Sequence, residues 1–293
     1  MCLAARRAVP DEAVKDLGVI EGPVLVFGGP YSNLQATTAV LEQASAHGIP
    51  PQNIICTGDV VAYCGDAGDT VDAIRAAGIH VVMGNCEESL GLDLEDCGCG
   101  FDEGSACDVL SVQWFAHATG ALDNEARKWM AHLPRRLTFT MQDRRFAVIH
   151  GSAGELSRFI FSSTPKTDKH REMATMGIDA IIGGHCGLPF TDTVDARIWH
   201  NPGVIGMPAN DGTPRTWFSI LTPSAEGIDF ALHPLAYDHA GAARAMRQAG
   251  LPEPYAMTLQ SGLWPNMDVL PAPERALQGH PLTPLRHFWP KEW

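Results

Sequence analysis

The sequence predicts an α/β fold with a largely parallel sheet, on three observations. Short apolar runs rich in β-branched residues alternate with stretches of helical character. Glycine and proline punctuate nearly every run. Several runs also stop at a glycine beside a carboxylate, an amide or an imidazole, and open α/β sheets gather their ligands at the carboxyl ends of strands.

Residues 22–27 (GPVLVF) form the first expected strand, running into Gly28-Gly29-Pro30-Tyr31-Ser32-Asn33. Ser32 or Asn33 caps a helix over residues 34–46, which Gly48 and Pro50 stop. Ile54 to Cys56 is a second strand, with Gly58-Asp59 beyond it. Residues 70–77 read as a short helix closed by Gly78, and residues 79–83 as a third strand ending at Gly84-Asn85-Cys86-Glu87. This alternation implies parallel strands joined by right-handed crossovers.

An irregular loop, residues 91–107, carries Cys97, Cys99 and Cys107 among glycines and acids. Helices are expected near 109–118 and 123–132. A hairpin follows over 137–141 and 145–149, turning at Gln142-Asp143 and ending at His150-Gly151. Residues 166–176 read as a helix, and 179–182 as a buried strand ending in Gly183-Gly184-His185-Cys186. Residues 191–199 alternate as one strand before His200-Asn201-Pro202-Gly203. Two further strands, 217–221 and 228–233, precede a helix at 240–248. The boundaries are then an N-terminal extension at 1–22, a domain at 23–250, and a proline- and aromatic-rich arm at 251–293 that packs on the domain or on a second subunit. A homo-oligomer through that arm is one expectation.

The 293 residues carry 21 basic and 34 acidic side chains, a formal net charge of -13, which argues against nucleic-acid binding through charge. A metal-bound phosphate ester stays compatible, because the metal supplies the positive charge. No run reaches transmembrane length, and the first residues lack the apolar segment of a secretory signal. A cytoplasmic protein without membrane attachment is expected. Eight cysteines without a signal suggest reduced thiols or metal ligands rather than a disulfide framework.

Asp59, Asn85, His150 and His185 thus stand at four strand ends, each beside glycine. A single such histidine is usually an ordinary hydrogen-bonded residue. Four oxygen and nitrogen donors at successive strand ends suit a divalent metal such as manganese, zinc or iron. Glycine lets the backbone turn so that each side chain enters a shared crevice.

In order and spacing, Gly58-Asp59, Gly84-Asn85, His150-Gly151 and Gly184-His185 resemble the blocks of the calcineurin-like metallophosphoesterases. The stretch from Gly58 to Cys64, Asn201-Pro202-Gly203 and Asp211-Gly212-Thr213-Pro214 are similar to the small bacterial and archaeal metallophosphatase branch. The resemblance implies a four-layer α/β/β/α sandwich of two mixed sheets flanked by helices. It also implies hydrolysis of a small phosphomonoester or phosphodiester by a metal-activated water. Asp59, Asn85, His150 and His185 match one metal site, with Asp59 as the residue shared between two.

The other site departs from the pattern. Gly29 stands where the family has aspartate, Tyr31 where it has histidine, and Gly187 where a second histidine should follow His185. One conventional metal site is therefore expected. Cys86 and Glu87, beside Asn85, are the candidate catalytic residues. Cys86 occupies a place where the family uses His or Cys, and a thiol is a poor acid for a leaving alkoxide. Tyr31, Asn33 and Cys186 are expected to line the substrate side. Cys64 and Cys186 flank the vacated site, as soft ligands or as small buried residues. Cys97, Cys99 and Cys107 read either as ligands of a zinc or iron–sulfur centre, with Cys86 as a fourth, or as free thiols or one disulfide in a lid. Two alternatives to hydrolysis accompany these departures: a catalytically silent relative that binds a phosphorylated metabolite, and a metalloenzyme of changed chemistry using cysteine ligands.

Overall fold

A computed structural model describes residues 14–101 and 104–292, apart from the side chains of residues 106 and 107. Its strands are β1 (Val14–Val19), β2 (Val24–Phe27), β3 (Ile54–Cys56), β4 (His80–Val81), β5 (Arg136–Met141), β6 (Arg144–Val148), β7 (Ala180–Ile182), β8 (Pro189–Val194), β9 (Arg197–Pro202), β10 (Thr216–Ser224), β11 (Gly227–Leu235) and β12 (Leu285–Pro290). Its helices are α1 (Leu34–Ala46), α2 (Ala67–Ala77), α3 (Asn85–Gly91), α4 (Ala106–Ala121), α5 (Asn124–Ala131), α6 (Lys166–Met176), α7 (His239–Gln248), α8 (Glu253–Ser261) and the single turn α9 (Ala272–Arg275).

The strands form two six-stranded mixed sheets, ordered β1-β5-β6-β7-β9-β8 and β12-β11-β10-β2-β3-β4. Each contains three parallel strands, β6-β7-β9 inside the first sheet and β2-β3-β4 along one side of the second, with β4 at its edge. These runs are apolar because both faces are covered. Val24, Val26, Ile55, Phe146 and Phe230 fill the space between the sheets. Leu25, Phe27 and Cys56 point the other way, to a layer holding Val40 of α1, Val71 of α2 and Met246 of α7. Ala147, Ile181 and Trp199 face Met173 of α6. Helices, sheet, sheet and helix give the expected four layers.

The β5–β6 hairpin turns where expected, with Gln142 and Asp143 both left-handed at φ 51° and 59°, as a two-residue turn matched to strand twist requires. Three expectations change. Residues 191–199 are not one strand: Asp195, at φ 55°, turns the chain between β8 and β9. An alternating pattern continues across a tight turn, so period alone hides it. The extension at 1–22 contains β1, which pairs parallel with β5; residues 1–13 lie outside the described residues. The arm at 251–293 packs on the domain, one of its two expected places, but as helix and strand rather than as an extended segment. Tyr255 and Leu259 of α8 enter the helical core, and β12 pairs antiparallel with β11. Among the described residues no helix is long and apolar enough to cross a membrane.

Candidate metal centre

The carboxyl ends of β3, β4, β6 and β7 converge from the two sheets. Beyond them stand Asp59, Asn85, His150 and His185, all buried. Asp59 and His185 are left-handed, at φ 57° and 60°. That conformation costs about 1–3 kcal/mol for a residue with a side chain, and such strain gathers at functional sites.

His150 is the hub. Its Nδ1 donates to the Thr57 carbonyl at 2.6 Å, which leaves Nε2 as the inward-facing atom. Around Nε2 lie Asn85 Oδ1 at 3.1 Å, His185 Nδ1 at 3.1 Å and Asp59 Oδ2 at 3.2 Å. Asn85 presents oxygen there because its Nδ2 donates to the Cys97 carbonyl at 2.9 Å. Donor atoms of Asp59, His150 and His185 all lie within 4.8 Å of one another. Lone pairs so crowded repel unless a proton or a cation sits among them. Two imidazoles, a carboxylate and an amide oxygen suit a borderline divalent ion, so the residues present fit the metal that the fold implies.

The titration of these groups follows the same logic. Burial acts to lower the His150 pKa, but the Asp59 carboxylate and the hydrogen bond to it outweigh burial and hold it above its usual value. Burial acts to raise Asp59, and the charge on His150 brings it below the usual carboxylate range. Burial, then the neighbouring His150 charge, depresses His185 to about 3. A metal binding there competes with protons for Asp59 and His150.

Glu87 does not line the cleft. Its fully buried carboxylate accepts from the backbone N–H of Asp59 and Val60, both at 2.7 Å, and of Gly84 at 2.9 Å. Burial, then the Asp59 charge, raises it to about 7. It clamps the turn that carries Asp59 to the start of α3, which corrects its expected catalytic role. Cys86 is also behind the site. Its N–H donates to Asp59 Oδ1 at 3.2 Å, and burial, then Asp59, pushes its thiol well above the usual range. It is a strut, not an acid. Asn33 caps α1 through Ala36 N–H at 3.0 Å and donates to the Gly206 carbonyl at 3.1 Å, so it too is structural rather than substrate-facing.

Tyr31 and Cys186 do line the cleft. Burial pushes the Cys186 thiol up to about 12, and its Sγ is engaged by the Leu188 carbonyl at 3.7 Å and by Asn201 Nδ2 at 3.2 Å. Cys64 is raised further by the same cause. Cys97 and Cys99 form a disulfide with each other, which removes both from a zinc or cluster site. The Cys107 side chain lies outside the described residues. The loop nevertheless reaches the centre: Cys99 Sγ is 3.5 Å from Asn85 Nδ2, and Cys99 and Phe101 line the cleft.

The half of the cleft that departs from the family pattern is walled with rings. A Cβ on Gly29 would lie 2.5 Å from Cζ of Tyr31, and Gly29 is left-handed at φ 36°. A Cβ on Gly187, at φ 76°, would meet the Trp264 indole at 3.5 Å. Tyr31 meets Tyr63 edge-on at 4.9 Å between ring centres, and Tyr63 meets Tyr255 at 5.0 Å. Phe159 leans over His185, 4.2 Å between centres. The sequence reading passes over Tyr63, Phe101, Phe159 and Tyr255 as site residues, because isolated aromatics beside glycine and proline carry no period.

A family model described as the calcineurin-like phosphoesterase superfamily domain matches residues 29–224. The chain belongs to that superfamily. Its relatives include an uncharacterised protein of Methanocaldococcus jannaschii, 23% identical over 220 residues, covering 69% of this chain and 84% of that protein. A metallophosphoesterase from Sphaerobacter thermophilus shares the fold at a TM-score of 0.65 and 24% identity, covering 83% of this chain and all of that one. A hypothetical protein from Pyrococcus horikoshii superimposes at 0.69 with 16% identity, covering 83% and 99%. Tyr255 and Trp264 lie beyond the calcineurin-like match.

Proposed function

We propose that this calcineurin-like protein is a metal-dependent phosphoesterase acting on a small phosphomonoester or phosphodiester, with one divalent ion held by Asp59, Asn85, His150 and His185. The observation that carries this reading is the ring of three acceptor atoms around His150 Nε2, at 3.1–3.2 Å. A divalent ion bound there supplies Lewis acidity toward a phosphoryl oxygen and lowers the pKa of a water. The chain's own residues do the rest. Thr57 fixes the His150 ring, the Cys97 carbonyl fixes the Asn85 amide, and Glu87 fixes the turn bearing Asp59. The aromatic walls exclude bulk water and so strengthen each electrostatic contact.

Elemental analysis tests the reading first. About one equivalent of manganese, zinc or iron without labile sulfide, together with hydrolysis of bis(4-nitrophenyl) phosphate that His185→Ala abolishes, is the expected result. Hydrolysis that survives His185→Ala sinks the site assignment. The filled second half favours one other reading, a relative that binds a phosphorylated metabolite without turnover. One equivalent of metal, with no ester in a broad screen hydrolysed, would select it.

A further inference from the structure

Of the three positions where the family pattern expects second-site ligands, Gly29 and Gly187 are glycine, and each glycine carries an aromatic ring over it. Tyr31 covers Gly29, and Trp264 covers Gly187. The rings are held in place. Trp264 Nε1 donates to the Pro208 carbonyl at 2.7 Å, and its backbone N–H donates to Asn210 Oδ1 at 2.8 Å. Tyr31 is packed between Gly29, Gly206 and the edge of Tyr63. A preformed aromatic slot thus abuts the metal centre where a second cation would otherwise sit.

Charge points the same way. Among the described residues lining the cleft there is no lysine and no arginine, and Asp59 is the one carboxylate. In the lining itself a dication and one carboxylate sum to a single positive charge, and the buried Glu87 carboxyl behind the Asp59 turn can only lower that sum. A monoanionic ester cancels it, whereas a dianionic monoester or a polyphosphate would leave negative charge against apolar walls, which is costly.

We propose that the vacated half has become a specificity slot, in which Tyr31, Tyr255 and Trp264 seat a flat apolar substituent of a monoanionic phosphodiester, with monoesters and polyphosphates disfavoured. This rests on the phosphoesterase reading and narrows it. Trp264 acts as a specificity-determining residue supplied by the C-terminal segment.

The test uses three stable phosphorus acids and the metal-replete full chain in a calorimeter. Diphenylphosphinate is a monoanion with rings, dimethylphosphinate a monoanion without them, and phenylphosphonate becomes a dianion at high pH. At pH 8.5 diphenylphosphinate is expected to bind about tenfold tighter than either, the scale of one or two aromatic contacts. Trp264→Ala should bring it to within about threefold of dimethylphosphinate, with metal content unchanged, and Trp264→Phe should restore most of the preference. If Trp264→Ala does not fold, Tyr255→Leu makes the same comparison. Equal binding of the two phosphinates, or tighter binding of phenylphosphonate, overturns the proposal. A parallel assay on bis(4-nitrophenyl) phosphate and 4-nitrophenyl phosphate separates the two failures. Faster monoester hydrolysis refutes the slot and leaves the phosphoesterase standing. Ring preference without hydrolysis of any ester supports the slot and refutes turnover.

Discussion

The two halves of the cleft are built from the same kind of strand-end loop, yet they hold opposite chemistry. On one side Asp59, Asn85, His150 and His185 crowd polar atoms to 3.1–3.2 Å around a single nitrogen. On the other, Gly29 and Gly187 leave room for Tyr31 and Trp264. The difference teaches that this half is organised by packing and not by coordination: its glycines are covered by rings, which need no polar partners. Gly29 and the Tyr31 ring form one unit, because a Cβ there would lie 2.5 Å from the ring, whereas at Gly187 the Trp264 indole is at ordinary contact distance.

Four experiments break or sharpen that contrast. The largest effect belongs to the polar half. His150→Ala removes the hub, so metal content measured after dialysis should fall from about one equivalent to near zero. Affinity should drop by more than about 100-fold, beyond the 10–100-fold typical of outer-shell changes. Retained metal would show that the other three residues suffice. Glu87→Gln lies in that lesser class: metal affinity should weaken by about 10–100-fold, with little change in which esters are preferred. A change in ester preference with normal metal content would return Glu87 to the cleft.

The third experiment concerns the aromatic half. Gly29→Asp puts a side chain into the Tyr31 ring and should cost about 1–3 kcal/mol from overpacking, read from a urea midpoint. Adding Tyr31→His should recover part of that cost, a coupling expected only of residues in contact. Even with Gly187→His added, metal content should stay near one equivalent while Trp264 remains. Two equivalents in that triple variant would mean that the slot is soft.

The smallest effect is a pH slope. His200 is fully buried, with Nδ1 2.8 Å from Thr191 Oγ1; burial, then His287, depresses it to about 3. Its unfolded value lies near 6.5, so between those values the unfolded chain binds the extra proton. Stability then falls on acidification, by at most about 1.4 kcal/mol per pH unit for this group. His200→Gln should make the acid limb of a urea-midpoint profile shallower. An unchanged slope would assign the acid sensitivity to His185 and the metal centre.

Much of this was legible in the sequence, and the reasons differ by residue. Asp59, Asn85, His150 and His185 each follow an apolar run and adjoin glycine, so local pattern alone places them at strand ends. That the four donors meet is a property of two sheets facing one another, which only the family resemblance conveyed. Glu87, Cys86 and Asn33 misled because a polar residue beside a ligand looks the same in sequence whether it faces the cleft or the backbone. Here it is backbone N–H groups and helix starts that take up Glu87 and Asn33. Tyr255 and Trp264 read as part of an arm because proline breaks their period, although α8 and β12 complete the core and the sheet edge.

The strand β12 and the indole of Trp264 lie late in the chain, and so give the cleft a built-in order of completion. The four donor residues are therefore made early and the slot's indole late. A chain truncated before residue 264 would lose not only that indole but β12 and the buried Trp289, and with them part of the core between the sheets.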